Sequence, residues 1–410
     1  MTSLACYLKD LGNKVIGSDS DEIYFTDTIL QNKNIQVLLF DENNITSEYI
    51  YIISRAYDYR NKEVAKIILN DFKHYYYDTF IGSVLNKEII GISGTHGKTT
   101  SAYFLAQMLN NKVSYIIGDG SGYGTNQSNF LVVEACEYQE HFLSYKPTLV
   151  LITNIDFDHP DYFLSLESTI NSFQAFANQS KVVVINNDDV NAKKIVHPNL
   201  VKFGFSLDSD YLIKIIKKTK KGYVIKVVDQ KEKIEYIYPF DYFGLHLVYD
   251  FVGSIVCSLL LGVTPRGKVN LPRRRLKEYT CHNIILIDDY AHHPTEIKCL
   301  YETVKEKYPS YKYHIIFQPH TYSRTLALLD DFKTSLSLFD EVYIASTFTS
   351  SREKESKVLE EEVKKGFNNF CVFSEDIINQ IDPSQKEVWI FLGAGVINKY
   401  IFNILEENKV

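Results

Sequence analysis

Apolar residues in this chain fall in short runs that end on polar or charged positions, and the pattern repeats almost from end to end. An amphipathic stretch over residues 4–11 predicts a helix, residues 14–20, 35–40 and 49–54 read as strands, and 63–70 reads as a second helix. Ile89 to Ile92 form the next strand. It runs into residues 94–100, Gly-Thr-His-Gly-Lys-Thr-Thr, and then into Tyr103, Phe104, Leu105, Met108 and Leu109 at helical spacing. Strands over 130–133, 148–152 and 182–185 follow. Between 211 and 238 the pattern changes to alternating runs split by lysine-rich turns, which predicts antiparallel strands with 217–221 as solvated hairpin positions. A helix over 248–261 closes that part, and strands over 284–287, 314–317, 341–345, 369–373 and 388–392 restore the β/α alternation. The expected fold class is α/β, with doubly wound parallel sheets and a small antiparallel patch.

Composition narrows the class without changing the picture. The 410 residues suffice for two or three domains, and 45% apolar with 23% charged residues is a globular balance. A net charge of −7 points away from nucleic acid as a partner. No apolar run is long enough to span a membrane, and the start lacks a basic stretch followed by an apolar one. A cytoplasmic protein with no membrane insertion is therefore expected. The six cysteines are scattered with no Cys-x-x-Cys, which predicts reduced thiols and no zinc.

The candidate chemistry starts at residues 94–100. A strand, a glycine turn and a helix start together point free N–H groups and the positive end of a helix dipole at an anion. Lys98 then reaches terminal phosphates and the Thr99 hydroxyl holds Mg²⁺. Position 92 is Ile where the common phosphate loop has its first glycine, so the match is to a shorter variant built from Gly94, Thr95, His96, Gly97, Lys98, Thr99 and Thr100. Ligands of open parallel sheets sit beyond the carboxyl ends of the strands. Glu134 ends one such strand and is placed to share the Mg²⁺ with Thr99. His159 and the carboxylates Asp156, Asp158 and Asp161 follow another; they read either as a second metal or phosphate site or as a solvated loop. Ser18 and Asp19 end an early strand, where Asp19 meets a ribose hydroxyl or merely forms the turn. In the C-terminal part, strand ends run into Asp-Asp-Tyr-Ala-His-His-Pro-Thr-Glu (288–296) and into Gln-Pro-His-Thr-Tyr-Ser-Arg-Thr (318–325), which suggests one shared ligand site.

Taken in order, residues 94–100, 117–120, 134–138, 153–162, 274–275, 288–296 and 317–325 resemble the Mur ligases, ATP-dependent amino-acid-adding enzymes of peptidoglycan synthesis. The 288–296 stretch is similar to that of members acting on UDP-N-acetylmuramate. The resemblance implies three domains. Residues 1–87 would be an N-terminal Rossmann-like domain for the UDP moiety, 88–268 a central P-loop ATPase domain, and 269–410 a C-terminal Rossmann-like domain. It implies ATP and Mg²⁺ as cofactors, and L-alanine joined to the lactoyl carboxylate of UDP-N-acetylmuramate through an acyl phosphate, by a monomer or homodimer. Lys98, Glu134, His159, His293 and Arg324 would be catalytic, with Thr99, Glu134 and His159 on metal. Residues 94–100, Asn154, Arg274 and Asp289 would bind cofactor, and Ser18, Asp19, His292 and His320 substrate. A recycling ligase that adds a whole peptide, and a non-catalytic relic, are the alternatives. Three departures stand out. The family's opening strand and glycine loop are missing before Met1, so a reading frame begun too late is expected. Leu247 stands where the family has an adenine-reading Asn. Val396 replaces the Asp of a Gly-Ala-Gly-Asp ending.

Overall fold

Two sheets organise the chain in the computed structural model, which describes residues 1–21, 26–110, 112–349 and 353–407. The larger has ten strands, in the order Ile234–Phe240, Tyr223–Asp229, Tyr211–Lys218, Leu200–Gly204, Val182–Asn186, Leu149–Ile152, Glu88–Ser93, Phe130–Glu134, Ser114–Ile116 and Gly122–Tyr123. Its middle is parallel and covered on both faces, which is why its strands read as continuous apolar runs. Side chains alternate strictly. Ile90, Ile92, Val132, Leu149 and Leu151 face helices Lys98–Met108 and Leu245–Leu260, while Ile89, Leu131, Val133, Val150 and Ile152 face helix Leu166–Asn178. The expected antiparallel patch is not a separate layer. Tyr211–Lys218 pairs in parallel with Leu200–Gly204, and the next two strands extend the same sheet antiparallel.

The second sheet has six strands, in the order Lys277–Cys281, Ile284–Asp289, Glu387–Leu392, Lys312–Phe317, Glu341–Ile344 and Cys371–Val372. All pairs but the first are parallel. The strand expected over 369–373 shrinks to Cys371–Val372, at the sheet edge.

The N-terminal part departs furthest from a closed doubly wound sheet. Ile16–Asp19 pairs in parallel with Gln36–Leu39, and Tyr51–Ile53 with His74–Tyr76, but among the described residues no strand joins the two pairs. In a 3-2-1-4-5 order, strand 1 would lie between them. Nor is this part self-contained. Helix Thr2–Asp10 buries Leu4 and Tyr7 in one core with Ile116, Leu131 and Phe173, so it belongs to the central sheet despite its place in the chain. No helix among the described residues is long and apolar enough to cross a membrane.

Leu4 is 1% exposed, and its loss leaves a cavity under the central sheet. Leu4→Ala should cost about 2–5 kcal/mol, read as a lower thermal midpoint of the unit that carries helix Leu166–Asn178. A midpoint unchanged from that of the parent chain would separate the first helix from the central core.

Candidate active site

Strand Glu88–Ser93 delivers the chain into a turn that only glycine fits at two points. Gly94 has φ +134° and a Cβ there would lie 2.0 Å from the Thr153 hydroxyl; Gly97 has φ +81°, and its Cβ would lie 2.3 Å from Asp250 Oδ1. Asn154 clamps the turn. Its Oδ1 accepts from the His96 N–H and its Nδ2 donates to the His96 carbonyl, both at 2.9 Å. Lys98 then begins the helix and folds back, donating to the carbonyls of Gly94 (2.6 Å) and Thr95 (2.9 Å) and pairing with Glu137 at 2.9 Å. Burial would lower its pKa, but Glu137 outweighs burial and the ammonium stays charged. Thr99 donates to Glu134 at 3.0 Å, and Glu134 also accepts from the Gly118 N–H at 2.7 Å. Burial raises the Glu134 pKa, against the pull of Lys98, so this carboxylate sits where a cation would relieve it.

Thr99 and Glu134 open onto a cavity of about 820 Å³ walled by all three parts of the chain, including Arg55 and Tyr57, Asp119, and Arg275 with Tyr290. Thr99 and Glu134 offer only oxygen donors, a set that suits Mg²⁺. A smaller cavity of about 110 Å³ lies between His159 and Asp161 on one side and Ser323 and Arg324 on the other.

The C-terminal sheet unit reaches the phosphate loop through paired charges. Arg324 grips Asp158 with two hydrogen bonds of 2.7 and 3.1 Å, and both side chains are buried. Burial would raise Asp158, but Arg324 beside it holds the carboxyl well below the usual range. His96 Nε2 lies 3.2 Å from Asp156, and its Nδ1 lies 3.7 Å from Glu296 of the C-terminal unit. Burial would lower this imidazole; Asp156 and Glu296 overcome that and raise its pKa to about 9. Asp156 accepts from the Thr295 hydroxyl at 2.7 Å, which ties the same joint a third time.

Several expected site residues have other employment. Ser18 donates to buried Glu63, and Asp19 caps its own turn and accepts from Tyr57; it is Tyr57 that lines the large cavity. Asn154 holds the loop rather than facing a cofactor. Arg274 lines the large cavity, but its guanidinium is spent on Asp288 and on the carbonyls of Gly393 and Gly395. Asp289 accepts from the Leu276 and Ala291 N–H groups, and burial pushes it up to about 6 against Arg275. His293 caps helix Pro294–Lys307 through Nδ1 and meets the Phe157 carbonyl at 3.2 Å through Nε2, so both nitrogens are engaged. His292 bonds the Tyr290 carbonyl, and burial with Arg324 nearby pushes it down to about 4. His320 packs against Arg324 at 3.1 Å. His159 stands 3.9 Å from Glu137 in the smaller cavity.

Sequence reasoning passed over four residues that the geometry brings to the centre. Arg275 lies 3.7 Å from Glu296 and over the Tyr290 ring, facing the large cavity. Glu137 bridges Lys98 and His159. Glu296 gathers His96, Arg275 and the His292 N–H. Asp250 lies under Gly97 and accepts from Ser101 at 3.0 Å, its pKa pushed up by burial to about 8. The first three sit in or beside stretches already singled out by their charge; Asp250 lies inside an apolar helix. Leu247, three residues earlier, is 3% exposed and packs in the core.

Comparison with known proteins places this geometry. The chain matches the Mur ligase middle domain over residues 92–258, the glutamate ligase domain of Mur ligases over 274–393, and the Mur ligase family catalytic domain over 1–88. A UDP-N-acetylmuramate–L-alanine ligase of Ligilactobacillus salivarius is 38% identical over 416 residues, covering 98% of this chain and 93% of the relative. The chain belongs to the Mur ligase family. Among solved structures, the UDP-N-acetylmuramate–alanine ligase of Thermotoga maritima superposes with a TM-score of 0.79 at 22% identity, covering 100% of this chain and 96% of that one. A murein peptide ligase of Psychrobacter arcticus gives 0.74 at 18% identity, with 100% and 96% covered. These two likenesses establish the Mur ligase fold.

A charged His96 binds the two units together, so its titration should be visible in stability. Its pKa is raised from 6.5 to about 9, so the contribution is complete below about 6.5 and lost as pH rises through about 9. Between those values the denaturant stability of the parent should fall towards that of His96→Asn. A stability gap that stays constant over this range would mean that His96 is neutral in the joint.

Proposed function

We propose that this Mur ligase joins L-alanine to the lactoyl carboxylate of UDP-N-acetylmuramate, with ATP converted to ADP and phosphate. The near-full-length relative supports the choice of substrates. The arrangement of Lys98, Thr99 and Glu134 on a cavity that Arg275 completes from the C-terminal unit supports the reaction class. The lactoyl carboxylate attacks the γ-phosphorus and the bond to the β–γ bridging oxygen breaks, giving an acyl phosphate and ADP. The alanine amine then attacks the acyl carbon, phosphate leaves, and the ammonium proton is lost.

Neither step needs a covalent protein nucleophile; both need negative charge to be neutralised where it gathers. Lys98 exchanges Glu137 and the loop carbonyls for phosphate oxygens. Thr99 and Glu134 would hold Mg²⁺, and His159, 3.9 Å from Glu137, would serve a further metal position. A bound Mg²⁺ supplies charge neutralisation on the triphosphate. Arg275 approaches from the opposite wall. The Arg324–Asp158 and His96–Glu296 contacts keep the C-terminal unit seated over the loop, which excludes the water that would hydrolyse an acyl phosphate.

The test is phosphate release from ATP with UDP-N-acetylmuramate, with and without L-alanine. Alanine-dependent release is expected; release that depends on a tripeptide instead would assign the chain to peptide recycling, and silence would assign it to neither. Lys98→Ala should lower turnover by roughly 10²–10³-fold or more in a chain that still folds, as read by circular dichroism. Near-normal turnover would remove the loop from the reaction. Glu134→Ala should raise the Mg²⁺ concentration needed for half-maximal rate; an unchanged requirement would take it off the metal.

A further inference from the structure

The joint between the phosphate loop and the C-terminal unit contains a donor set distinct from the Thr99 and Glu134 oxygens proposed for Mg²⁺. His96, Asp156 and His293 each present one ligand atom, and the three atoms lie within 4.8 Å of one another. We propose that these three residues form a site for a transition-metal ion of the Zn²⁺ or Co²⁺ class, separate from the Mg²⁺ site, that fastens the C-terminal unit to the phosphate loop. This goes beyond the ligase reading and does not depend on it. The scattered cysteines gave no reason to expect zinc, but here the donors are two imidazoles and a carboxylate.

Geometry carries the assignment. Around a tetrahedral Zn²⁺, ligand atoms at about 2.0–2.2 Å from the metal sit roughly 3.3–3.5 Å apart. His96 Nε2 is 3.2 Å and His293 Nδ1 is 3.8 Å from the same Asp156 oxygen, Oδ2. The other nitrogen of each ring is backed as metal-bound histidines are, by a carboxylate or a carbonyl. His96 Nδ1 faces Glu296 at 3.7 Å, and His293 Nε2 meets the Phe157 carbonyl at 3.2 Å. Asp156 is oriented as well, through Oδ1 by the Phe157 N–H at 2.8 Å and through Oδ2 by the Thr295 hydroxyl at 2.7 Å. The metal would take over the His293 Nδ1 lone pair, which otherwise accepts a long 3.3 Å bond from the Thr295 N–H. Two imidazoles in three ligands favour Zn²⁺ and Co²⁺ over Mg²⁺, which prefers an all-oxygen octahedron.

The surroundings already call for a positive charge at this point. Asp156 and Glu296 face His96 from the central loops and the C-terminal helix, with the His293 ring tilted against it at 4.6 Å.

The experiment is Co²⁺ titration of the full chain, stripped with a chelator and kept in millimolar Mg²⁺, followed by visible absorption. One equivalent with the intense bands of four-coordinate Co²⁺ is expected, displaced by Zn²⁺, with Zn²⁺ also raising the thermal midpoint. His293→Gln and Asp156→Asn should each weaken binding at least tenfold, and His96→Gln with His293→Gln should abolish both readouts. Circular dichroism distinguishes this loss from misfolding, because the double variant should keep the parent spectrum and melt cooperatively. Three outcomes would overturn the site: no tetrahedral band, competition by Mg²⁺, or binding that survives in the double variant.

Discussion

Buried charge has to be paired, and that requirement orders everything around the phosphate loop. Lys98 has Glu137, Arg324 has Asp158, and His96 has Asp156 and Glu296. Lys98–Glu137 and His96–Asp156 lie wholly within the central unit. The others are completed across the boundary between the two large sheets, so the C-terminal unit is part of the loop's electrostatic environment and not an independent module. Asp250 is the exception that supports the rule. With only a hydroxyl and distant cations to face, this carboxyl is pushed up to about 8 and stays largely protonated near neutrality.

In the proposed reaction the same pairing would prepare the site for phosphate. Lys98 rests on two loop carbonyls and one carboxylate, all acceptors that a phosphate oxygen can replace without leaving the ammonium unsolvated. The loop itself does not have to be rebuilt when that exchange occurs. Asn154 holds His96 by both backbone groups, and Gly94 and Gly97 are fixed by what lies against them. Preorganised donors cost little at the moment of reaction, which is where electrostatic catalysis draws its strength.

Much of this was legible in the sequence, and the parts that were not share a cause. The two sheets were readable because strands covered on both faces must be continuously apolar, as Leu149 to Ile152 are. The loop was readable because its glycines and lysine are tied to fixed backbone positions. What one dimension does not carry is direction. Arg274 and Arg275 are adjacent and chemically identical and both line the cavity, yet Arg274 is tied to Asp288 and to the Gly393 and Gly395 carbonyls while Arg275 lies against Glu296. Asp289 and Asn154 stand where ligand-binding residues stand, yet nearby N–H groups claim Asp289 and the backbone of His96 claims Asn154. Asp250 carried no signal at all, since a single acid in an apolar helix looks like a surface position until Gly97 is packed against it. The packing of the first helix was not legible for a related reason: Leu4 and Tyr7 mark a buried face but not which sheet buries it.

The energetics of the joint bear on how such an enzyme can close and open. A buried ion pair such as Arg324–Asp158 gains about what it spends on desolvation, so it fixes geometry more than it adds stability. A closed arrangement held mainly by such pairs lies near balance with an open one. A modest difference in a ligand's affinity for the two then decides which is populated. In the proposed reaction, phosphate arriving at Lys98 would release Glu137, whose Oε1 lies 3.9 Å from His159, beside the Asp158 that Arg324 grips. Occupancy of the loop is thereby felt at the contact that seats the C-terminal unit, through a chain of charges that each need a partner.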